Sequence, residues 1–344
     1  MRFGLIGAGG IGQVRKAAIE QAPDCELTAV FDTNQATAKQ TGARVFTSVE
    51  ELAASDACDA LIISTPTNFH VQQAIAAMEG GKHVLVEKPM ASSIEQCKQM
   101  LDVSRQTGKV LTVGFNHRYF AAIKAVRDAI QSGAIGKLSY IRSYGGHTGL
   151  SEFKAPWMHD KDIMGGGTLM DNGIHVLDLT RHLMGGVESV YGIALTGIWK
   201  LDRSEDNAFA LMRGPNGVVA TLHSSWSEWK GYRFYIEAYG DKGMARAYYA
   251  PMMSTIITMD KPGGARKVVR NFYVSSILRE KLKGWQSTVI QTFVDELADF
   301  IALTKGQSGG VIAQAVDGYR ACEIANAVYQ SSVTGQSITL APEI

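Results

Sequence analysis

The stretch RFGLIGAGGIG, Arg2 to Gly12, decides how the first third of the chain folds. Arg2 to Ile6 is a short apolar run, as expected of a strand covered on both faces. It ends in Gly7-Ala8-Gly9-Gly10-Ile11-Gly12, and Gly12 to Gln21 then reads as helix. A GxGxxG pattern alone is weak in a chain with 36 glycines. Here it closes a strand, opens a helix, and lies twenty residues before Asp32, which ends the next apolar run, Leu27 to Phe31. That setting is the fingerprint of a dinucleotide site. Gly7 permits the tight turn, Gly9 lets the backbone approach a pyrophosphate, and Gly12 lets helix and strand close up. Gly10 and Ile11 complete the loop, and the helix N-terminus turns its free N–H groups toward the phosphates. A carboxylate at Asp32 accepts from both ribose hydroxyls and repels a 2′-phosphate. Thr33 and Asn34 follow it, with no arginine beside Asp32 to offset the repulsion. The expected cofactor is therefore NAD, with NADP disfavoured.

Outward from this loop the alternation continues. Ala60 to Ser64 reads as a buried strand, Val71 to Glu79 as helix, and His83 to Val86 as strand. A helix capped by Ser92 or Ser93 runs to about Thr107, and Val110 to Gly114 is a further strand. Alternating strands and helices imply a parallel sheet with helices on both faces. Such sheets bind ligands at the carboxyl ends of their strands. STPTNFH, Ser64 to His70, sits at one such end, so Ser64, Thr65, Pro66, Asn68 and His70 join the cofactor candidates. Glu87-Lys88-Pro89 ends the following strand on the same edge. Pro89 fixes its own φ and restrains Lys88, which keeps helix from starting there. Glu87 and Lys88 are expected near the cofactor, and Lys88 near the substrate as well. Asn116-His117-Arg118-Tyr119 adds a polar cluster at that edge.

The helix from about Phe120 to Gln131 looks like a bridge, so the expected domains are 1–119 and 120–344. Beyond Gly136 strand-like runs follow one another, with turn signals at Gly214-Pro215-Asn216-Gly217 and Gly240-Asp241-Lys242-Gly243. The expected fold class is α/β: a Rossmann domain with a doubly wound, mostly parallel sheet, then an α+β domain with a large open, mostly antiparallel sheet. The helix within Gly165 to Met184 and the late helices Gln286 to Leu303 and Ala313 to Ser332 are expected to cover that second sheet. Residues 261–284 are the least readable part.

A second informative stretch is GGGTLMDNGIHVLD, Gly165 to Asp178. If it is helical after the glycines, Asp171 and His175 are four residues apart and project from one face. A carboxylate beside an imidazole is a common arrangement for proton transfer near neutral pH. Thr168 followed by Asp171 also fits a capping box, and His175 would serve equally as a partly buried helix histidine. Asp178 and His182 repeat the spacing, but no convincing ligand set surrounds either pair, and no metal is expected.

The bulk numbers set limits. A length of 344 residues exceeds one average core and suits two domains. A net charge of +1 without a long basic run argues against nucleic acid. Cys25, Cys58, Cys97 and Cys322 are scattered, with no CxxC pair, as in thiols kept reduced. No apolar run has the length of a membrane span, and the chain enters its first strand without a charged leader. A cytoplasmic location without membrane partners is expected.

GAGGIG with Asp32, STPTNFH, EKP, GFNHRY and GGGTLMDNGIHVLD occur in that order. Together they resemble the glucose–fructose oxidoreductase, inositol dehydrogenase and rhizopine-catabolism (Gfo/Idh/MocA) family, over nearly the whole length and including Ser331 to Leu340. The resemblance implies a Rossmann domain and an open-sheet domain whose outer face forms homodimers or homotetramers. It implies a catalytic set of Lys88, Asp171 and His175, and a cis Lys88-Pro89 bond. Relatives often carry Trp-Arg before the triple glycine, where this chain has Trp157-Met158-His159. Trp157 and His159, with Asn116 and Arg118, are thus the substrate candidates, while Trp226 and Tyr232 read as core. The activity implied is NAD-dependent oxidation of a secondary hydroxyl on a sugar or cyclitol. Two alternatives share the pattern: an NAD-dependent, redox-assisted glycoside hydrolase, and a non-catalytic NAD-responsive regulator. The regulator would be expected to lack Lys88, Asp171 or His175.

Overall fold

The computed structural model describes residues 1–151, 153 and 155–342. They form two compact units, Met1–Tyr119 with Arg279–Tyr319, and Phe120–Leu278 with the chain from Arg320 onward.

The first unit runs β1 (Arg2–Ile6), α1 (Gly10–Gln21), β2 (Glu26–Phe31), α2 (Gln35–Lys39), β3 (Arg44–Val45), α3 (Val49–Ala54), β4 (Ala60–Ile63), α4 (His70–Glu79), β5 (His83–Val86), α5 (Ile94–Thr107) and β6 (Leu111–Val113). The strands are parallel in the order 3-2-1-4-5-6, the doubly wound Rossmann arrangement. The two-residue strand Ala313–Gln314 adds antiparallel to β6. Ser48 and Ser93 cap α3 and α5, their hydroxyls accepting from the N–H groups of Glu51 and Gln96. The core joins Phe3, Leu5, Ile62 and Leu85 to Phe293, Leu297 and Phe300.

Those last three residues belong to the late helix Gln286–Thr304. It packs on the parallel sheet's unit, not on the antiparallel sheet as the sequence suggested. Residues 279–319 are therefore not part of one continuous 120–344 domain. The reason is chemical as well as apolar. Arg15 on α1 is fully buried and donates to Glu87 Oε1 at 2.6 Å and to Glu296 Oε2 at 2.5 Å. Its guanidinium lies 3.5 Å from the Phe293 ring centroid. A buried cation needs such partners, and the late helix supplies one of them. Burial pushes the Glu296 carboxyl up to about 7, although Arg15 opposes it.

The second unit begins with α6 (Ala121–Gln131) and β7 (Leu138–Gly146), then α7 (Lys161–Met164) and α8 (Ile174–Met184). Its strands continue as β8 (Ser189–Leu195), β9 (Asn207–Arg213), β10 (Val219–Ser225), β11 (Arg233–Gly240), β12 (Gly243–Tyr249), β13 (Met253–Met259) and β14 (Arg266–Phe272). The sheet order is 14-13-12-11-7-10-9-8, with Ile338–Thr339 on the edge beyond β8. Neighbours are antiparallel except β7 and β10, which run parallel. The hard-to-read 261–284 segment holds β14, which pairs with β13 before it, and α9 (Val274–Lys283).

One sheet face carries α8. The other presents Tyr191 and Ile193 of β8 opposite Leu211 and Phe209 of β9, all exposed by 40% or more. Among the described residues no helix is long and apolar enough to cross a membrane.

Candidate active site

The glycine loop is shaped as its spacing predicts. Gly7 has φ +87°, and a Cβ there would lie 2.8 Å from the Ser64 carbonyl oxygen. A Cβ on Gly12 would lie 2.1 Å from the Gly7 oxygen, so helix and turn close only on a glycine. Gly9 and Gly10 face open space. Gly9 caps α1 without any side-chain hydrogen bond, which leaves the first helical N–H groups for an anion. Ile11 is exposed at the rim. The residues present thus fit a dinucleotide pyrophosphate.

Asp32 does two local jobs in this loop. Its Oδ2 accepts from Ala8 N at 2.6 Å and its Oδ1 from Asn34 N at 2.7 Å. Thr33 beside it is exposed. On the segment after β4, the buried Ser64 hydroxyl and the Asn68 side-chain oxygen have no protein partner. Orphaned polar atoms beside an open glycine cradle suit a polar ligand. Thr65 instead donates to Gln73 Oε1 at 2.6 Å, and Pro66 leads into the turn Thr67–Phe69.

His70 and Glu87 have protein partners of their own. His70 is 1% exposed, with Nδ1 3.1 Å from the Pro89 carbonyl and Nε2 2.9 Å from the Thr65 carbonyl. Burial lowers its pKa, and those two carbonyls oppose the shift. It ties the loop after β4 to the loop after β5. Glu87 is committed to Arg15. Lys88 is half-buried, and the Lys88-Pro89 bond is cis. His117 lies buried nearby. Burial, with a smaller push from the Lys88 ammonium, takes its pKa down to about 3, so the ring is neutral.

Asn116 and Arg118 also bond to the protein itself. Asn116 donates to Thr292 Oγ1 at 2.9 Å. Arg118 is 3% exposed and bonds the Val311 carbonyl and Asp317. Both anchor the segment around the late helix, which sequence reading had assigned elsewhere.

In the second unit the triple-glycine stretch is more elaborate than one helix. α7 ends at Gly165, with φ +83°. A Cβ on Gly167 would lie 2.0 Å from the Glu205 carbonyl oxygen. The buried Glu205 carboxylate accepts from Gly167 N, Leu169 N and the Tyr329 hydroxyl. Burial raises its pKa against those bonds. Leu169–Gly173 is then a π turn, in which Gly173 N donates to Thr168 O at 2.9 Å. Thr168 does not cap the helix: its hydroxyl bonds Asn172 Oδ1 and Ser224 Oγ. The capping box is thus not formed. The π turn also shifts the register of a regular helix between Asp171 and His175, so spacing alone does not align them. Such turns are frequent at functional sites. His175 is buried at the start of α8.

Asp171 Oδ2 accepts at 3.1 Å from His147 Nε2 and at 3.1 Å from Trp226 Nε1. His147 follows β7 and Trp226 follows β10, so the parallel pair delivers both to one carboxylate. His147 was missed by sequence reading, because no motif includes it and the strand-end rule for parallel sheets does not extend to a mostly antiparallel one. Trp226 is fully buried, as expected, and uses its indole N–H as well. Phe153 stands edge-on to Trp226 with centroids 5.0 Å apart, and stacks on His159 at 6.2 Å. His159 is thereby linked through Phe153 to Trp226. Trp157 is half-buried on the same short turn, and Tyr232 packs on Tyr249.

The oxidoreductase family with an NAD-binding Rossmann fold matches residues 1–115. The GFO/IDH/MocA C-terminal domain matches residues 123–246. Inositol 2-dehydrogenase of Rhizobium meliloti (strain 1021) is 28% identical over 352 residues, covering 99% of each chain. The 1,5-anhydro-D-fructose reductase of Ensifer adhaerens is 32% identical over 66% of this chain and 69% of its own. A solved levoglucosan dehydrogenase, in complex with NADH and L-sorbose, has the same fold, with TM-score 0.88 at 23% identity over 100% of this chain and 99% of that one. Motif order, Rossmann topology and both matched halves agree: the chain belongs to the Gfo/Idh/MocA family of oxidoreductases, and its cofactor is NAD.

Proposed function

We propose that this protein oxidises a secondary hydroxyl of a sugar or cyclitol in an NAD-linked reaction. The observation that carries the reading is end-to-end similarity to an enzyme named inositol 2-dehydrogenase, in a chain that holds Lys88, Asp171 and His175. A non-catalytic regulator would have no need of that set. NAD, when bound, supplies the hydride acceptor. In this reading the Gly7–Gly12 loop, Asp32 and Ser64–Asn68 hold the dinucleotide. His175 takes the hydroxyl proton as general base. Asp171 orients His175 or a neighbouring substrate hydroxyl. Lys88 donates a hydrogen bond to the reacting oxygen and stabilises the negative charge that develops there. Trp157 and His159 are the proposed pocket residues; Phe153 beside His159 offers an apolar ring face of the kind that suits a sugar ring. The test is a panel of inositols, aldoses and anhydrosugars with NAD, followed by NADH absorbance. Reduction by at least one polyol is expected; a silent panel with a protein that still binds NAD would sink the reading.

Asp32 sets the cofactor preference in this reading. Asp32→Asn keeps an acceptor for the Ala8 N–H but removes the charge. A hydrogen bond to a charged group is worth about 1.5–3 kcal/mol, so the NAD-over-NADP ratio of kcat/KM should fall roughly ten- to hundredfold. An unchanged ratio would show that Asp32 acts only on the loop.

The exposed face of Tyr191, Ile193, Phe209 and Leu211 supports a homodimer or homotetramer through the second sheet. Apolar patches of this kind are uncommon on monomers. Leu211→Glu is expected to give a smaller species by light scattering, and a wild-type monomer would overturn the assignment. The reading assigns the cytoplasm, supported by four cysteines that remain free thiols.

A further inference from the structure

We infer that His147 is a positioning residue for this reaction: its imidazole is a fixed hydrogen-bond donor that sets the Asp171 carboxylate. The inference rests on the reading of Asp171 as part of the catalytic set. It comes from which atom faces which. His147 Nδ1 lies 3.0 Å from the backbone N–H of Gly149. An N–H has no lone pair to offer, so Nδ1 accepts, and the ring proton sits on Nε2. Nε2–H then donates to Asp171 Oδ2 at 3.1 Å. Neither nitrogen changes role without losing a bond, so the ring is a donor here and not a base.

The surroundings hold this arrangement. His147 is 7% exposed. Its ring stands edge-on to Phe153, with centroids 5.6 Å apart. Gly149, the residue that dictates the tautomer, has φ +68°, and a Cβ there would lie 2.5 Å from the Trp226 carbonyl oxygen. Trp199 Nε1 donates to that same carbonyl at 2.8 Å. The Gly149 peptide is thus wedged against the residue that supplies Asp171 with its second donor, Trp226 Nε1. Two neutral N–H groups on one oxygen fix the rotamer and favour the carboxylate over the acid without adding charge.

The experiment has two arms. Long-range proton–nitrogen NMR on histidine-labelled protein reports the tautomer without any substrate. The Nε2–H form is expected for His147; an Nδ1–H form or an imidazolium at neutral pH overturns the inference. The second arm compares His147→Leu, His147→Gln and Asp171→Asn in NAD reduction with myo-inositol and with levoglucosan. A partner that orients a reacting group is typically worth about 10- to 100-fold, and His147→Leu should lose about that much in kcat. Its kcat profile should also shift its acid limb to higher pH, since the carboxylate has lost a donor. His147→Gln restores an N–H and should recover most of the rate and the limb. Equal loss in the Leu and Gln variants would mean a merely structural ring and defeats the proposal. If Asp171→Asn is inactive while His147→Leu behaves as wild type, this inference alone fails. If Asp171→Asn turns over normally, the catalytic reading of Asp171 fails instead.

Discussion

Replacing His175 by alanine is expected to lower turnover about 10²- to 10⁴-fold, the usual worth of a positioned proton-transfer group, while NAD affinity stays near wild type. The two effects separate because the proposed roles are carried by different units. The open glycine cradle, Asp32, Ser64 and Asn68 belong to the first unit, and His175 to the second. Alanine is also the best helix former, so the start of α8 should survive. A group used only as the proton moves lowers kcat and kcat/KM together. Lys88→Ala should behave similarly, with weaker substrate binding as well. Steady-state kinetics beside NAD titration makes the measurement, and near-normal turnover would remove His175 from the role of base.

The second large effect falls on stability. Arg15→Met leaves Glu87 and Glu296 buried without their shared cation. Breaking a buried ion pair by removing one partner costs about 3–5 kcal/mol, readable as a lower midpoint in urea. The same cluster gives a pH signature. Glu296 is pushed up to about 7 in the fold. Between the ordinary carboxyl range and pH 7 the native state therefore holds a proton that the unfolded chain has lost. Stability from this group falls as pH rises through that window. His117 works in the opposite sense: held down to about 3, it makes stability rise with pH up to its ordinary range near 6.5. Glu296→Gln removes only the falling contribution. The difference between variant and wild type should thus change between about pH 4.5 and 7 and be flat above, and a difference without slope in that window would refute the assignment.

These two clusters also show how far local sequence signals reach. The Rossmann order was legible because each strand and each helix carries its own apolar pattern and its own stop signal. Gly7, Gly12 and Asp32 were legible for the same reason, since a turn, a close approach and a strand end are encoded within a few neighbours. Arg15 was not. Its partner Glu296 lies 281 residues away, and nothing near either residue announces the other. The late helix was assigned to the wrong sheet on that account. The protein partners of Asn116 and Arg118 were hidden with it, because the segment that buries them was thought to be elsewhere.

The second unit divides in the same way. The residues Asp171 and His175 stood out by chemistry and spacing, and the turns at Pro215-Asn216 and Asp241-Lys242 placed the hairpins around them. The backbone between Asp171 and His175 did not follow from spacing. It became a π turn because Thr168 and Gly173 are pressed against Ser224 of a distant strand. His147 and Trp226 came to Asp171 because β7 and β10 run parallel in a sheet that is otherwise antiparallel, and pairing direction is settled by packing across the whole sheet. Sequence alone determined the fold class, the cofactor loop and which residues are chemically able to act. Tertiary structure alone decided which of them are held, by what, and in which tautomer, since hydrogen-bond partners far apart in the chain meet only after the sheets have closed.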